Sequence, residues 1–330
     1  MAVLVTGGAG YIGAHVVRLL VADGREVVVV DDLSTGAAER VDGVPLVRAD
    51  LADPDARPRV AAALREHQVD EVFHFAARKK VPESVERPTW YAQQNVGGLV
   101  NLLDAMRDAD VGRIVFSSTA AVYGSPDSPR VAETDPTEPV NPYGWTKLAG
   151  EWLVRDAATA WGLRGVALRY FNVAGAGWPD LGDLAVANLV TMVLDRLDRG
   201  EPPVVFGTDY PTPDGTCVRD FVHVMDLAEA HLAALAALDA RSWTVLNVGT
   251  GTGASVLEVV RGLQRVVGVS DEISWADRRA GDPAVVVADP TAIDRSLGWR
   301  AQRTLDEILA DAWSGWQHTR QRASGASVSG

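Results

Sequence analysis

The sequence predicts an α/β protein built on a doubly wound parallel β-sheet, with a smaller α/β lobe towards the C-terminus. Short, almost entirely apolar runs alternate with segments of helical periodicity, and a glycine-rich turn follows the first run. The strand candidates are residues 2–5, 26–30, 45–47, 71–75, 113–116 and 165–168, and the helix candidates are residues 12–22, 56–67, 92–107 and 146–161. Because apolar runs without polar alternation require burial on both faces, they are typical of a parallel sheet between two helical layers.

The chain changes character after about residue 172, where loops rich in Gly, Pro and Asp separate shorter elements. This predicts a first domain over residues 1–172 and a smaller domain over residues 173–318, and leaves open whether some of its elements return to the first domain. Residues 319–330 are rich in Ser, Gly and Ala without periodicity, so we expect a disordered tail there.

Composition narrows the function classes. The 330 residues include 31 Lys and Arg against 44 Asp and Glu, and the net charge of -13 argues against nucleic acid or membrane binding through bulk charge. Cys217 is the only cysteine, which excludes an intramolecular disulfide and a Cys-based zinc cluster and suits a reducing cytoplasm. The six histidines lack metal-ligand spacing. We therefore expect a cytoplasmic protein with no metal, signal peptide or transmembrane helix.

A glycine-rich turn, Thr-Gly-Gly-Ala-Gly-Tyr-Ile-Gly, directly follows the first predicted strand and opens the first predicted helix. Gly7, Gly10 and Gly13 allow a tight turn, close approach of backbone N–H groups to a pyrophosphate, and close packing of helix on sheet. The second predicted strand ends in Asp31 and Asp32, where a carboxylate can accept both hydroxyls of an adenosine ribose. Two acids there would repel a 2′-phosphate. The pattern predicts a Rossmann-type dinucleotide site that prefers NAD to NADP.

A tyrosine and a lysine four residues apart, Tyr143 and Lys147, lie near the start of a predicted helix and share one face. A nearby cation favours the phenolate, so we expect Lys147 to lower the pKa of Tyr143 and make it a base. Ser117, Ser118 and Thr119 end the preceding predicted strand, and we expect three hydroxyls to converge on the cleft there. The same residues also fit a solvated helical turn and an ordinary helix cap.

These motifs, in this order and spacing, resemble the extended short-chain dehydrogenase/reductases over about residues 2–318, and within them the UDP-glucose 4-epimerase family. Further stretches that carry the resemblance are residues 30–36, 169–176, 206–216 and 218–224. The resemblance implies a Rossmann-type domain that holds NAD, a smaller C-terminal lobe that binds a UDP-sugar, and a homodimer. It also implies C4 epimerisation of a UDP-hexose.

The mechanism that the resemblance implies uses few groups. Tyr143 takes the O4 proton while C4 passes hydride to tightly held NAD, and the resulting 4-keto sugar turns over before hydride returns. A sugar-nucleotide 4,6-dehydratase is disfavoured because Ala120 and Ala121 follow Thr119, where similar dehydratases carry Asp-Glu. A non-catalytic NAD(H)-binding relative is disfavoured because both Tyr143 and Lys147 are present.

The resemblance implies two sets of site residues, which share Tyr143; the catalytic members are Tyr143, Lys147 and Thr119. The cofactor set is Gly7, Gly10, Tyr11, Ile12, Gly13, Asp31, Asp32, Leu33, Ser34, Thr35, Gly36, Asp50, Leu51, Phe75, Ala76, Ala77, Lys79, Gln94, Asn95, Tyr143, Lys147 and Phe171. The substrate set is Thr119, Tyr143, Asn172, Asn188, Leu189, Val204, Phe206, Arg219, Arg279, Asp282 and Val286. The two arginines suit this set because a guanidinium can bind a diphosphate bidentately.

Several positions depart from the family pattern. Thr119 replaces a common Ser, Asp32 replaces a frequent Asn, and Arg78 and Lys80 stand where enzymes of neutral sugars carry apolar or small residues. Val286 replaces a bulky aromatic residue and leaves room for an N-acetyl group. UDP-glucose and UDP-galactose are expected first, with UDP-glucuronate and UDP-N-acetylglucosamine as alternatives. The two cations would read a carboxylate in the glucuronate case, and otherwise point to solvent or to the cofactor phosphates.

The predicted helices over residues 92–107 and 146–161 resemble those that form a two-fold interface in similar enzymes. Their apolar residues would be buried either there or against the sheet. In the first helix these residues are Val96, Leu99, Leu102 and Leu103.

Overall fold

The structure is a computed structural model that describes residues 2–183, 185–238, 242–269, 272–279 and 281–326. Its strands are β1 (Ala2–Thr6), β2 (Glu26–Asp31), β3 (Leu46–Arg48), β4 (Val69–His74), β5 (Arg113–Thr119), β6 (Arg130–Val131), β7 (Arg164–Tyr170), β8 (Asn172–Ala174), β9 (Val204–Phe206), β10 (Val218–His223), β11 (Trp243–Val248), β12 (Gly253–Ser255), β13 (Ser274–Ala276) and β14 (Val285–Ala288). Its α-helices are α1 (Tyr11–Ala22), α2 (Ala56–Glu66), α3 (Val81–Glu86), α4 (Pro88–Tyr91), α5 (Gly98–Asp108), α6 (Pro142–Trp161), α7 (Leu189–Asp198), α8 (Val224–Ala237), α9 (Val256–Val267), α10 (Thr291–Leu297) and α11 (Leu305–Ala326). A π-helical turn, Ala92–Gly97, precedes α5.

The main sheet of the described residues has seven parallel strands in the order β3-β2-β1-β4-β5-β7-β11. The chain order reverses between β1 and β4, so their carboxyl ends open the crevice in which doubly wound sheets bind ligands. Strands are present at all six predicted positions, and the predicted fold class is confirmed. β11 follows residue 172 in the chain and yet pairs with β7, so part of the C-terminal half returns to the first sheet.

Both faces of this sheet are buried, as the apolar runs predict. Along β1, Ala2 and Leu4 pack in one core cluster with residues of α2, α5 and α6. Val3 and Val5 point to the other face and pack with residues of α1 and α8. The polar side chains of these strands lie mostly towards the strand ends, because burial of a polar group without a partner is costly.

The second lobe is built around β10. This strand pairs in parallel with β8 and β14 and antiparallel with β12, and β6 extends the sheet beyond β14. Helices α7, α9 and α11 pack in one apolar cluster with β10. Buried Asp220 of β10 accepts hydrogen bonds from the backbone N–H groups of Thr250 (2.9 Å), Gly251 (2.9 Å) and Ala288 (3.2 Å). Its carboxylate thus ties the loops after β11 and the end of β14 to the strand.

The prediction of a disordered C-terminal tail is wrong for residues 319–326, because α11 continues to Ala326. Earlier turns of this helix dock Trp313 and Trp316 on the second-lobe core, and a docked helix extends at little cost because its nucleus is already formed. Residues 327–330 lie outside the described residues. No helix in the described part of the chain combines the length and apolar character that crossing a bilayer requires.

Helix α6 begins at Pro142, with Asn141 as its N-cap, earlier than the apolar periodicity predicts. The Asn141 side chain accepts a hydrogen bond from the Gly144 N–H (2.9 Å), and Pro142 occupies the first turn, where its missing N–H costs nothing. The helix ends at Gly162, whose φ of 72° is the left-handed conformation typical of such ends. These local signals place Tyr143 in the first turn.

A buried polar network anchors α6 to the sheet. Glu151 of α6 accepts hydrogen bonds from Arg169 of β7 (2.6 and 2.9 Å) and from the Ser118 hydroxyl of β5 (2.5 Å). Arg169 also donates to the Tyr123 hydroxyl (2.9 Å), which donates to Asn247 of β11 (2.7 Å). None of the five residues is more than 5% exposed. The network fixes the position of the helix along the strands.

We predict that Glu151→Ala lowers the free energy of unfolding by about 3–5 kcal/mol, because the Arg169 guanidinium would be left buried without its carboxylate. Arg300→Ala is the control, since it removes a solvent-exposed pair with Asp294 and should cause no resolvable change. Denaturant titration of both variants measures the difference. Equal stability of the two variants would contradict the structural role of the network.

Candidate active site

A deep cleft lies at the carboxyl ends of β1 to β5 and β7, where loops of the second lobe meet the main sheet. The predicted cofactor residues that line it are Gly7, Gly10, Tyr11, Ile12, Gly13, Asp31, Asp32, Ser34, Thr35, Asp50, Leu51, Phe75, Ala76, Ala77, Lys79, Gln94, Asn95, Tyr143, Lys147 and Phe171. The predicted substrate residues that line it are Thr119, Tyr143, Asn172, Asn188 and Leu189. Two predicted cofactor residues lie outside the lining: Leu33 packs on the core and Gly36 against Ala9.

The glycine-rich turn has the close packing that its sequence predicts. Gly7 adopts a φ of +69°, and a Cβ there would lie 2.6 Å from the backbone nitrogen of Ala76. A Cβ on Gly13 would lie 2.2 Å from the Gly7 carbonyl oxygen. Helix α1 starts after Gly10 with no side-chain cap, and its first residues line the cleft. Uncapped N–H groups at a helix start fit a pyrophosphate, so this part of the cleft suits a dinucleotide.

The two aspartates after β2 differ in their partners. Asp31 is buried and accepts hydrogen bonds from the N–H groups of Ala9 (3.0 Å) and Leu33 (2.8 Å). Asp32 forms an ion pair with Arg78 (2.6 Å). Burial works to raise the pKa of Asp32, but hydrogen bonds from Ser34 and the Arg78 guanidinium outweigh it and lower the pKa. The two acids are therefore not equivalent, because a cation distant in sequence offsets the charge of Asp32, a pairing that the sequence does not predict.

Arg78 and Lys80 do not converge on one point in the cleft. The Arg78 guanidinium is directed towards the end of β2, where it also donates to Ser34 and, through Nε, to Gln94 (2.9 Å). Lys80 is exposed, and it does not belong to the described residues that line the cleft. The two cations therefore do not form a pair in this part of the structure.

The predicted catalytic residues come together at the end of β5. Tyr143 and Lys147 are both buried on α6, and Thr119 is the last residue of β5. Burial raises the pKa of Tyr143 well above its usual value, while a hydrogen bond with Thr119 favours the phenolate. Burial also lowers the pKa of Lys147 to about 8, with Glu151 acting in the opposite direction. The site therefore groups a buried phenol, a hydroxyl and a buried amine.

The expectation that Lys147 lowers the pKa of Tyr143 is not met in the chain alone. The ammonium donates to the Ser117 carbonyl oxygen (2.8 Å) and lies 5.2 Å from the Phe116 ring centre. Desolvation of the phenol is the larger effect, and the phenol holds its proton at neutral pH.

Three converging hydroxyls are also not observed, and only Thr119 of the triplet lines the cleft. Ser118 donates to Glu151 beneath α6, and the Ser117 hydroxyl bonds with that of Tyr170 (2.7 Å). Side chains alternate along a strand, so Ser118 must point to the face opposite that of Thr119. Ser117 and Ser118 are structural residues in this arrangement.

The remaining substrate residues form a second group outside the lining of this cleft. Arg279 lies 4.1 Å from the ring centre of Phe206, and its carbonyl oxygen accepts from the Asp282 N–H (3.4 Å). Asp282 lies 3.9 Å from the Arg219 guanidinium, and Arg219 pairs in register with Val286. Val204 precedes Phe206 on β9. The group combines two arginines and an aromatic ring, which suits a nucleotide with a diphosphate.

Asn172 and Asn188 line the cleft but also have structural bonds. The Asn172 amide donates to the Asp220 carbonyl oxygen (3.2 Å). Asn188 caps α7 by accepting from the Thr191 N–H (3.0 Å), and its amide donates to Asp183 (3.0 Å). Their positions are therefore fixed before any ligand binds.

Several lining residues were not predicted from the sequence, among them the polar residues Arg40, Asp183 and Tyr170. Arg40 lies in a short 3-10 turn after β2 and donates to the Gly182 carbonyl oxygen (2.5 Å). Asp183 lies 4.0 Å from Lys79, and Tyr170 ends β7. Tyr170 falls within a stretch that resembles the family, but nothing in the spacing separates Arg40 or Asp183 from solvated surface charges. Their roles arise only because the loop after β2 meets the second lobe.

We predict that Gly7→Ala reduces the nucleotide retained by the purified protein at least tenfold, because the new Cβ clashes with the backbone of Ala76. Gly24→Ala is the matched control: Gly24 has a similar φ of +75°, but its Cβ would meet nothing within 4 Å. Release of bound nucleotide by denaturation, followed by its quantification, measures the effect. Normal retention by Gly7→Ala would show that the turn does not hold the dinucleotide.

Comparison with known proteins agrees with this geometry. Residues 3–249 match the model of the NAD dependent epimerase/dehydratase family. The UDP-glucose 4-epimerase of Azospirillum brasilense is 46% identical over 98% of this chain and 94% of its own length. The crystal structure of UDP-glucose 4-epimerase from Stenotrophomonas maltophila, with bound NAD and formylated UDP-arabinopyranose, is 44% identical, with a TM-score of 0.91 and coverage of 98% and 99% of the two chains. That of the Brucella ovis enzyme with NAD is 41% identical, with a TM-score of 0.89 and coverage of 94% and 97%. The chain therefore belongs to the NAD dependent epimerase/dehydratase family and, within it, to the UDP-glucose 4-epimerases.

Proposed function

We propose that this protein interconverts UDP-glucose and UDP-galactose by inverting C4 of the hexose, with NAD as a tightly held cofactor. The observation that carries the proposal is a single cleft that joins a dinucleotide-binding turn at β1 to the buried Tyr143, Lys147 and Thr119 at the end of β5. The relatives from Azospirillum brasilense and Stenotrophomonas maltophila are both named UDP-glucose 4-epimerase, and each aligns with nearly the whole length of this chain.

Side chains of the protein itself accept and return the proton at O4 of the sugar. Tyr143 receives this proton and later returns it, and the Thr119 hydroxyl beside it holds the reacting oxygen. When bound in the cleft beside the glycine-rich turn, NAD would supply the hydride acceptor for C4 and a positive charge. Lys147 adds a second positive charge beside the phenol when protonated. Burial of all three residues excludes water, which strengthens these interactions and protects a 4-keto sugar.

The position of Arg78 favours a neutral sugar. Its guanidinium lies at the end of β2, and three strand spacings separate β2 from β5, which bears Thr119. At about 4.8 Å a spacing, that is roughly 14 Å, too far for a group on the reacting sugar to reach. Arg78 therefore gives no reason to expect a substrate with a carboxylate, such as UDP-glucuronate. Val286 packs against the cluster that includes Phe171, a cleft residue, and its small side chain supports tolerance of an N-acetyl group.

We predict that the protein converts UDP-glucose to UDP-galactose. We also predict that it turns over UDP-N-acetylglucosamine within about a hundredfold of that rate, since small steric changes in a pocket alter the free energy of discrimination between substrates by roughly 1–3 kcal/mol. Chromatography of products from a panel that also includes UDP-glucuronate measures this. A preference for glucuronate would overturn the choice of sugar. A 4-keto-6-deoxy product would indicate a dehydratase, and retained NAD without turnover a non-catalytic relative.

Tyr143→Phe is the matched variant for this experiment. We expect it to lose on the order of 10²–10⁴ in kcat, because removal of a proton-transfer group typically costs that much, while UDP-sugar binding is largely kept. Near-normal kcat in this variant would mean that another group is the base.

We also propose a homodimer through α5 and α6. Leu99, Leu102 and Leu103 are buried against the sheet side of α5, so they are not available for an interface. The outer surface of the two helices instead exposes Val100, Trp145 and Trp152, apolar residues that a second copy would cover. A cytoplasmic location is part of the proposal, supported by the free thiol of buried Cys217.

For the homodimer we predict that Trp152→Glu gives a monomer at micromolar concentration, because a charge cannot be buried in the interface without a partner. Trp275→Glu is the control: Trp275 is 50% exposed, against 46% for Trp152, but lies on β13 of the second lobe. Light scattering coupled to size-exclusion chromatography should show a dimer for wild type and control. A wild-type monomer would refute the proposed assembly.

A further inference from the structure

An ion pair at the cofactor end of the cleft joins Asp32, just after β2, to Arg78, just after β4. The distance from Arg78 Nη2 to Asp32 Oδ2 is 2.6 Å, and the two side chains are 18% and 24% exposed. Both positions depart from the family pattern in the sequence, and the structure shows that each departure neutralises the charge of the other. They form one unit that the proposed C4 chemistry does not use.

The guanidinium is held from several sides. Its Nε donates to Gln94 (2.9 Å), Nη1 donates to the Ser34 hydroxyl, and its carbon lies 5.3 Å from the ring centre of Trp90. The Arg78 backbone is also fixed, because its N–H donates to the side chain of Asn95 (2.7 Å). Much of the entropy cost of ordering a long side chain is therefore already met before a ligand binds.

This position bears on the nucleotide that the cleft accepts. In this fold a carboxylate at the end of the second strand bonds the adenosine ribose hydroxyls, and a nearby arginine accommodates a ribose 2′-phosphate where the cofactor is NADP. Asp31 ends β2, while Asp32, Ser34 and Arg78 surround the space beside it. A phosphate dianion is a good bidentate partner for a guanidinium. In this chain, however, the Asp32 carboxylate already occupies the guanidinium.

We infer that Asp32 determines the preference for NAD over NADP by occupying Arg78, which is otherwise a receptor for a ribose 2′-phosphate. The inference rests on the proposed NAD site. To bind Arg78, a 2′-phosphate must displace Asp32 and leave that carboxylate unpaired beside a second anion. Removal of the Asp32 charge takes away this penalty and leaves Arg78 in place, held by Gln94 and Trp90.

The test is a competition between nucleotides with full-length protein. Wild type and variants are incubated with equimolar labelled NAD and NADP until incorporation is constant, and the bound ratio of NADP to NAD is measured after denaturation. Asp32→Asn should raise this ratio at least tenfold, equivalent to about 1.4 kcal/mol. Asp32→Asn/Arg78→Leu should lose most of the gain. Arg78→Leu alone should lower the ratio below that of wild type, because Asp32 is then an unpaired anion.

An unchanged ratio in Asp32→Asn would overturn the inference. A raised ratio that survives in Asp32→Asn/Arg78→Leu would also overturn it, since loss of charge alone would then explain the effect. Should Asp32→Asn fail to fold by circular dichroism, Arg78→Leu decides: a ratio at or above that of wild type refutes the role of Arg78. Failure of wild type to bind either nucleotide would refute the proposed function itself, whereas normal NAD binding with unchanged ratios refutes this inference alone.

Discussion

The parallel direction of the strands in the main sheet is the constraint on which the site depends. Because both faces of the sheet are covered by helices, the strands are apolar along their length and polar groups are stable only at their ends. Parallel pairing brings the carboxyl ends to one edge. The glycine turn, the two aspartates, Thr119 and Tyr170 each follow or end a different strand, and this is why they line one cleft although they are far apart in sequence.

Helix α6 carries the reacting side chains, and its anchoring is as important as its sequence. Glu151 lies one turn beyond Lys147, and its bonds to Arg169 and Ser118 fix the helix against β5 and β7. A catalytic group on an element held in this way has a defined position without bound ligand. Burial has a chemical consequence as well: it raises the pKa of Tyr143 and lowers the pKa of Lys147 to about 8.

An acidic protein that binds two anionic molecules must place its cations locally. Arg40 and Lys79 lie in the main cleft, and Arg219 and Arg279 lie in the group around Phe206. Several of these cations approach an aspartate of the same region, as Lys79 does Asp183 and Arg219 does Asp282. At these distances each aspartate offsets part of the charge of its cation in the chain alone.

The sequence by itself determined the fold class, the strand positions and the principal motifs, because these depend on local periodicity and on the spacing of glycine, aspartate, tyrosine and lysine along the chain. It also placed Gly7, Asp31 and Tyr143 correctly at strand ends or helix starts. Which side chains pair across the cleft was decided only by the tertiary structure. Arg78 pairs with Asp32, which is 46 residues away in the sequence, and Ser118 donates a hydrogen bond to Glu151 beneath α6. The helical turns beyond residue 318 likewise depend on docked tryptophans earlier in α11. Such pairings follow from the distance between folded elements and from desolvation, and neither quantity is encoded in local sequence spacing.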